Sequence, residues 1–486
     1  MHPGFKKNIA NLIKAGNNFA YLFRKNTSDK SDYQPIPYNI IHSFNKTRTL
    51  GAQRYLCYAP FTMMYFAFNG EVIACCHNRK HILGKYPGQN IKEIWEGTEF
   101  NKLREYIRND DLSFGCDVCK YALLAENFDG AKNGLYDRYR VKKYPQIMEF
   151  ELDNRCNLSC IICNDLFSSS IEKEMHGNKT ESPYDENFVK QIIPYLTHLK
   201  QAKFYGGEPF LINIYYDIWE KMLEINPKIE IVIQTNGTIL NDRIKKLMER
   251  GRFHINISID SLNKENFEKI RKNADYKQTM NNVAWFKEFS EHSHTHIGII
   301  PTPNRLNWPD LPELVNWAGS IGAKVYFNTL ITPLDLALWN LPSSELEILY
   351  NELSNRLIDT NSRIAKENAR HYNDFLKQIQ AWGVKNKAVA SNKTKISSNQ
   401  LNEIRDQFLI HLQNALKAQN QADLFSLFEQ VYLSLDDYRN KEFFFLAINK
   451  APMEKVIEEL ATRDVEHLKK LMGKKIYEGS NEFELI

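Results

Sequence analysis

The fold is decided by residues 147–163, which read IMEFELDNRCNLSCIIC. Residues 147–153 have the short apolar pattern of a buried strand. Three cysteines follow directly at the spacing C-x3-C-x2-C, namely Cys156, Cys160 and Cys163. Three thiolates this close can hold three irons of an iron–sulfur cluster and leave the fourth iron open for a ligand. The alternative is a zinc site, which needs four protein ligands, and the surrounding sequence offers no fourth.

Strand-like and helix-like segments alternate after this point. The strand patterns cover residues 147–153, 202–205, 229–235, 254–260, 296–301 and 323–329. Helix-period segments lie between most of them, at residues 184–200, 213–225, 240–250 and 311–321. Six strand–helix units in a row predict an α/β fold with a parallel sheet, either doubly wound or an incomplete barrel. In such sheets, ligands bind at the carboxyl ends of the strands.

Composition restricts the classes of protein that remain. The chain has 486 residues, 43% of them apolar and 25% charged, which is a globular composition long enough for two or three domains. The net charge is only +4, so no nucleic-acid partner is indicated. Residues 1–30 lack the apolar core of a secretory signal, and no run of about 18 apolar residues could span a bilayer. We therefore expect a cytoplasmic, reducing context, where clustered cysteines are metal ligands more often than disulfides.

The predicted chain divides into four segments. Residues 1–50 combine a basic amphipathic helix with a polar linker, and residues 51–145 are compact, irregular and rich in cysteine. The alternating α/β pattern fills residues 146–342. Residues 343–486 have helical propensity, interrupted by a predicted loop over residues 385–398. Neither terminal segment carries a motif that indicates its role.

Further motifs follow the next three strands. Gly206-Gly207-Glu208-Pro209 comes after the second strand, where the glycines let the backbone approach a ligand and the glutamate can accept from an ammonium group. Asn236 ends the third strand in an Asn-Gly pair, which is also an ordinary turn signal. Ser258 and Asp260 end the fourth strand, and Arg271 follows about one helix later. Each motif also has a simpler interpretation. The residues after the second strand could form an ordinary strand-to-helix turn, Ser258 could be an N-cap hydroxyl, and Arg271 could be a solvated arginine.

The other cysteines all precede the α/β region, at Cys57, Cys75, Cys76, Cys116 and Cys119. The loose pair Cys57 and Cys75, with the C-x2-C of Cys116 and Cys119, can supply four thiolates to one closed site. Zinc and a 4Fe-4S cluster are both chemically reasonable there, and the spacing does not choose between them. Cys76 is left over, either as a small buried residue or as an alternative ligand or hydrogen-atom donor.

Together the α/β motifs resemble the radical S-adenosylmethionine (radical SAM) superfamily, over residues 52 to about 342. The resemblance implies a partial (β/α)6 barrel of the TIM type. It implies that the C-x3-C-x2-C loop holds a 4Fe-4S cluster whose open iron binds SAM. The motif Gly206-Gly207-Glu208-Pro209 is then expected to bind the SAM amino group. Asn236, Ser258, Asp260 and Arg271 are expected near the SAM carboxylate, the ribose or the substrate.

The upstream cysteines resemble the auxiliary-cluster modules called twitch and SPASM. The shared pattern is C-x12-G-x4-C, from Cys57 through Gly70 to Cys75, with later cysteines. A full SPASM module carries enough cysteines for two clusters, whereas this segment has five. The resemblance therefore implies one auxiliary 4Fe-4S cluster, held by Cys57, Cys75, Cys116 and Cys119. The module usually follows the barrel, and here it precedes it.

The resemblance also implies an activity. A radical SAM enzyme cleaves SAM reductively to a 5'-deoxyadenosyl radical that abstracts hydrogen from a substrate carbon, using an external one-electron donor such as flavodoxin or ferredoxin. An auxiliary cluster favours a net oxidative modification, by crosslinking, oxidation or epimerisation, of a peptide or small-molecule substrate. Two alternatives stay open: a radical SAM methyl- or sulfur-transfer enzyme, and a non-enzymatic zinc or iron–sulfur scaffold or electron-transfer protein. No catalytic acid, base or hydrogen-atom donor is identified.

Overall fold

The computed structural model describes residues 33–128, 130–177, 180–390, 398–435, 441, 443–449 and 451–481. Within these residues the strands are β1 (Met63–Phe66), β2 (Glu71–Ile73), β3 (Gly84–Lys85), β4 (Ile147–Phe150), β5 (Gln201–Phe204), β6 (Glu230–Thr235), β7 (Arg252–Ile257), β8 (Ile297–Ile299) and β9 (Lys324–Val325). They form one sheet in the order β3-β2-β1-β4-β5-β6-β7-β8-β9. Strand β1 pairs in parallel with β4, and each adjacent pair from β4 to β9 is also parallel. Strand β2 pairs antiparallel with both β1 and β3.

Strands β4 to β9 are the six strands that the sequence predicts. The helices that connect them are α6 (Ser169–His176), α7 (Glu186–Leu196), α8 (Asn213–Ile225), α9 (Asp242–Met248), α10 (Lys264–Ile270), α11 (Tyr276–His292) and α12 (Leu311–Ser320). Strand and helix alternate in the order required for a parallel α/β sheet. The expected partial barrel is confirmed.

The two faces of the sheet differ in chemistry because successive side chains in a strand point to opposite sides. Phe150 and Phe204 are fully buried on the helix-covered face, where the Phe204 ring centroid lies 5.3 Å from that of Trp219 in α8. Their neighbours in sequence, Glu149 and Lys203, are register partners on the opposite face. This inner face, which we call the lumen of the barrel, is therefore lined by ionisable groups.

The cysteine-bearing segment before the barrel is joined to the same sheet. Its strand β1 pairs in parallel with β4, from Met63 opposite Ile147 to Phe66 opposite Phe150. Strand β1 is only four residues long, so its pattern in the sequence is too brief to predict. The helices of this segment are α1 (Tyr38–Thr47), α2 (Ala59–Thr62), α3 (Ile91–Glu96), α4 (Thr98–Arg108) and α5 (Asp117–Leu124). The segment boundaries at residues 51, 146 and 343 stay predictions.

The C-terminal region is helical, as predicted, with different boundaries. Its described helices are α13 (Ser343–Ser354), α14 (Arg363–Ala390), α15 (Ser398–Ala418), α16 (Asp423–Leu433), α17 (Phe443–Ile448), α18 (Met453–Thr462) and α19 (Val465–Asn481). The loop predicted from residue 385 is wrong in its first part, since α14 continues to Ala390. Helices α15 to α19 share a second apolar core with residues 330–339, which follow β9.

The N-terminal amphipathic helix predicted within residues 1–50 falls before residue 33, outside the described residues. No helix among the described residues is both long and apolar enough to cross a membrane.

A buried arginine connects helix α1 to the first cysteine. Arg48 Nε donates to Asp137 Oδ2 at 2.8 Å, and its Nη atoms donate to the carbonyls of Tyr55 and Leu56 at 3.2 and 3.1 Å. Those carbonyls belong to the two residues before Cys57. Arg48 and Asp137 are each about 4% exposed, so the pair is shielded from water. The contact fixes the chain where it reaches Cys57.

We expect Arg48→Ala to lower the free energy of unfolding by about 3–5 kcal/mol, because it leaves Asp137 as a buried carboxylate without its partner. Lys46→Ala is the matched control, since Lys46 is exposed at the end of the same helix. Chemical denaturation of both variants measures the difference. Equal stabilities for the two variants would contradict this role of Arg48.

Candidate functional site

The three-cysteine loop lies at the carboxyl end of β4 and is held from two sides. On one side, the amides of Ser159 and Ile161 donate to the carbonyls of Lys272 and Ile270, at the end of α10. On the other, Ser170 Oγ in α6 donates to the Cys156 carbonyl at 2.7 Å. All three cysteines of the loop are free thiols. The loop is therefore fixed by backbone contacts, with its thiols left available.

The three thiols lie close to one another. Burial, together with the neighbouring Cys160 and Cys156, raises the pKa of Cys163 to about 12. Asn236, at the end of β6, reaches the same loop: its Nδ2 lies 3.9 Å from Cys156 Sγ and donates to Asn157 Oδ1 at 3.0 Å. The structure thus brings Asn236 to the cysteine loop, next to the position where a ligand of the open iron is expected.

Glycine is needed at the two positions after β5 because the backbone there lies directly against the backbone of residues 153–155. A Cβ on Gly206 would lie 2.4 Å from the Asp153 carbonyl oxygen, and one on Gly207 would lie 2.3 Å from that of Arg155. Gly206 also has φ +111°, which disfavours any other residue. The amide of Gly207 donates to the Asp153 carbonyl at 3.1 Å. Glycine thus holds the loop after β5 against the chain that leads into the cysteines.

Glu208 lies between the ends of β5 and β6. Its side chain is fully buried, and it accepts from Thr235 Oγ1 at 2.8 Å, from the Asn236 amide at 2.8 Å and from the Phe210 amide at 3.2 Å. Burial raises its pKa to about 7, although these donors oppose the shift. In this arrangement the carboxylate joins β5 to the end of β6. Pro209 begins the short helical turn Pro209–Leu211.

Asp260 and Arg271 form a buried ion pair. Arg271 Nε lies 2.8 Å from Asp260 Oδ2, and the two side chains are 8% and 0% exposed. Asp260 Oδ1 accepts from the Thr302 amide at 2.7 Å. Arg271 also interacts with the Cys160 thiol, and burial raises the pKa of Cys160 while this arginine lowers it. The pair therefore lies against the cysteine loop rather than in open space. Ser258 is half-buried at the end of β7 and has no side-chain hydrogen bond within the described part of the chain.

The upstream cysteines come together as predicted. Cys57, Cys75, Cys116 and Cys119 line one cavity. Burial raises the pKa of the Cys75 thiol well above its usual value, and Cys76, Cys116, Cys57 and Cys119 add to the rise. Across the described residues, no group of three or more His, Cys, Asp or Glu side chains is arranged to hold a single metal ion. One zinc ion would need its thiolates at about 2.3 Å.

Two asparagines face the thiols of this cavity. Asn78 Nδ2 donates to Cys116 Sγ at 3.5 Å. Asn133 is 1% exposed, and neither polar atom of its side chain has a hydrogen-bond partner among the residues described. A buried amide without a partner fits a site whose occupant accepts hydrogen bonds, as the sulfurs of an iron–sulfur cluster do. Sequence reasoning missed Asn133 because no cysteine or motif adjoins it.

Cys76 does not line that cavity and faces the lumen. Burial raises its pKa to about 11, and its charged neighbours are Glu149, Lys203 and Arg79. Arg79 donates to both carboxylate oxygens of Glu151, at 3.2 and 2.9 Å. The Arg79 guanidinium also lies 5.9 Å from the ring centroid of Phe167, four residues after Cys163. Arg79 therefore contacts both the lumen carboxylate Glu151 and the segment that follows the three-cysteine loop.

Comparison with protein families matches both parts of the site. The model of the radical SAM superfamily matches residues 151–318, and the model described as an iron-sulfur cluster-binding domain, SPASM, matches residues 57–120. Residues 151–318 thus form a radical SAM domain, preceded by an iron–sulfur cluster-binding SPASM domain. The radical SAM and SPASM domains imply 4Fe-4S clusters, one of them auxiliary, and SAM as a cofactor.

Named relatives match part of the chain. A probable GTP 3',8-cyclase of Methanocaldococcus jannaschii is 28% identical over 178 residues, which are 36% of this chain and 56% of the relative. A GTP 3',8-cyclase of Clostridium botulinum is 27% identical over 136 residues, 28% of this chain and 41% of the relative. The chain thus spans about half the length of these relatives.

Two solved structures match part of the chain at low identity and with low TM-scores. The structure of anSMEcpe with bound AdoMet and Cp18Cys peptide is 18% identical, with a TM-score of 0.33, covering 43% of this chain and 59% of that one. Streptococcus suis SuiB bound to S-adenosylmethionine is 13% identical, with a TM-score of 0.34, covering 53% of this chain and 59% of that one.

We expect Gly207→Ala to weaken SAM binding at least about tenfold, because the added Cβ would push the loop after β5 off the chain that enters the cysteine loop. Gly88→Ala is the control, since Gly88 is exposed and a Cβ there lies 3.5 Å from its nearest neighbour, the Lys85 carbonyl oxygen. Equilibrium binding of SAM to the anaerobic, iron-loaded proteins measures the effect. Unchanged SAM affinity in Gly207→Ala would contradict the role given to this contact.

Proposed function

We propose that this radical SAM protein catalyses a net oxidative modification of a peptide or small molecule bound in the lumen. The supporting observation is the position of the two cysteine sites. The three-cysteine loop lies at the carboxyl end of β4, and the four-cysteine cavity includes Cys75, whose chain neighbour Cys76 has the lumen groups Glu149 and Lys203 nearby. A substrate in the lumen would lie between a site of radical formation and a site that can accept an electron.

Each cysteine site has a distinct role in this proposal. Cys156, Cys160 and Cys163 hold the cluster that binds SAM. When bound, the cluster and SAM supply the reductive carbon–sulfur cleavage that yields a 5'-deoxyadenosyl radical. Cys57, Cys75, Cys116 and Cys119 hold the auxiliary cluster, and their number leaves no open position, as in a closed site. An auxiliary cluster can take up the electron that a net oxidation of the substrate releases.

The residues around SAM divide into binding and supporting groups. The backbone at Gly206 and Gly207 and the free hydroxyl of Ser258 are available to a ligand. The Asn236 side-chain nitrogen Nδ2 lies 3.9 Å from Cys156 Sγ. Glu208, Asp260 and Arg271 are buried, and we propose that they support the loops rather than contact SAM. Burial of these groups also helps to exclude water from a reactive intermediate.

In the lumen, the cationic side chains are more exposed to a substrate than the carboxylates that pair with them. Lys203 Nζ binds Glu149 Oε1 at 2.6 Å, yet the lysine side chain is 26% exposed and the glutamate 2%. Arg79 and Glu151 are paired in the same way, and their side chains are 37% and 8% exposed. We propose that Lys203 and Arg79 orient the polar groups of the substrate. GTP belongs among the substrates to be tested, because the curated relatives described above are GTP 3',8-cyclases.

Replacing Cys156, Cys160 and Cys163 together with Ala should abolish reductive SAM cleavage while sparing the auxiliary cluster. The reason is that these thiols are the ligands of the SAM-binding cluster, whereas the other four lie in a separate cavity. Iron should fall from about eight to about four per chain, for one 4Fe-4S cluster. Undiminished 5'-deoxyadenosine formation by the triple variant would refute the assignment. Stoichiometric zinc without iron in the native chain would favour the scaffold alternative.

Lys203→Met should separate substrate binding from cofactor chemistry. We expect the substrate KM to rise at least about tenfold, because the variant removes a charge-assisted hydrogen bond. The variant should retain slow SAM cleavage without substrate, since Lys203 lies in the lumen and not on the cysteine loop. Lys221→Met, on the exposed side of α8, is the control. Loss of substrate-free SAM cleavage in Lys203→Met would show that this lysine supports the cofactor site instead.

Product analysis distinguishes the transfer alternative. Net oxidation leaves SAM only as methionine and 5'-deoxyadenosine, whereas methyl transfer also yields S-adenosylhomocysteine. Mass spectrometry of the reaction therefore decides between the two reaction classes.

A further inference from the structure

We propose that the C-terminal helical region is a positioning element for the SAM-binding cysteine loop, and that His467 is the residue through which it acts. This inference rests on the proposed function, because it assigns a role in the same SAM site. The region lies outside the residues that match the radical SAM and SPASM families. Its contacts with the cysteine loop are specific and buried.

The central contact is a hydrogen bond between α19 and the end of the cysteine loop. His467 Nδ1 lies 2.8 Å from Asp165 Oδ2, and both side chains are only 3% exposed. The two residues are 302 positions apart in the chain. Asp165 follows Cys163 by two residues, so the position of α19 is transmitted to the cysteine by a short stretch of backbone.

A second contact is apolar. Ile162, between Cys160 and Cys163, packs against the second apolar core, which consists of α15 to α19 and residues 330–339. Helix α19 itself lies close to that linker: a Cβ on Gly473 would be 2.9 Å from Leu334 Cδ1. The core that the C-terminal helices share with residues 330–339 therefore reaches the cysteine loop at Ile162, and α19 contacts the chain just after the loop at Asp165.

The rest of the loop is held by the barrel. Ser170 of α6 binds the carbonyl of Cys156, and the end of α10 binds the amides of Ser159 and Ile161. These contacts reach the first half of the loop. Asn154 Nδ2, which donates to the Asp165 carbonyl at 3.3 Å, is a barrel contact at its far end. The side chain of Asp165 is fixed by His467, so loss of the histidine leaves a buried carboxylate oxygen without this donor.

Loss of a buried hydrogen bond weakens the restraint on the backbone that carries it, and here that backbone lies two residues after Cys163. A displaced Cys163 would change the geometry of the cluster and of the open position that SAM occupies. The auxiliary cavity has no contact of this kind with α19 among the described residues, since its lining comes from residues 57–136. The C-terminal region should therefore affect one cluster and not the other.

The test uses the full-length, anaerobically reconstituted protein with His467→Ala. Reduced enzyme is followed by electron paramagnetic resonance with and without SAM, and SAM cleavage is measured over a range of SAM concentrations. We expect the KM for SAM to rise about tenfold and the SAM-induced change of the cluster spectrum to require correspondingly more SAM. The auxiliary-cluster signal should be unchanged.

Two further variants complete the design. His467→Asn should restore most of the affinity for SAM, because the asparagine amide can stand near the position of Nδ1 and donate to Asp165. His411→Ala is the matched control, since His411 is exposed on α15 of the same region. If His467→Ala does not fold, His467→Gln, which keeps a polar side chain but moves its amide, replaces it in the comparison with His467→Asn.

The outcomes are distinct. A native spectrum and native KM for SAM in the folded His467→Ala or His467→Gln variant would overturn the proposal. An equal loss of both cluster signals would overturn it as well, since it would indicate a general effect on folding. Absence of any SAM-dependent spectral change in the unmodified protein would instead contradict the proposed function.

Discussion

The site depends on the close approach of two backbones at the carboxyl ends of β4 and β5. Gly206 and Gly207 lie so near the carbonyls of residues 153–155 that neither tolerates a side chain. This approach aligns the loop after β5 with the chain entering the cysteine loop. Glu208 then extends the alignment to β6, where it accepts from Thr235 and the Asn236 amide. Three consecutive strand ends are thereby joined into one rigid rim.

The same alternation of side chains that builds the sheet also separates its two environments. Aromatic and aliphatic residues bind the sheet to the helices, and ionisable residues face the lumen. Each carboxylate on β4 is paired, Glu149 with Lys203 and Glu151 with Arg79. Paired charges avoid the penalty of an isolated buried ion. The lumen can therefore be polar without destabilising the barrel, and its exposed cations remain available to a substrate.

Local sequence patterns were sufficient to predict the strands of the barrel and to divide the cysteines into two sets. The six strands of the barrel have apolar runs and turn residues that can be read directly, and each cysteine set has its own spacing. Strand β1 was missed because four residues carry too little pattern, and its pairing with β4 is non-local.

Contacts between distant residues account for the other differences. Glu208 was placed at SAM by its motif, whereas its donors come from another strand end. Arg271 was expected near SAM or the substrate, with a solvated arginine as the alternative, and its ion pair with Asp260 beside the cysteine loop was not predicted. Asn133 and His467 belong to no motif at all. Their positions are set by tertiary packing, which a single sequence does not reveal.

The proposed function requires two chemically different cysteine sites, one whose cluster binds SAM and one whose cluster does not. Electron paramagnetic resonance of the reduced, iron-loaded protein, recorded with and without SAM, tests it most directly. The account predicts two 4Fe-4S signals, of which only the one lost on replacing Cys156, Cys160 and Cys163 changes when SAM is added. Detection of a single signal, or of two signals that do not change when SAM is added, would contradict the proposed function.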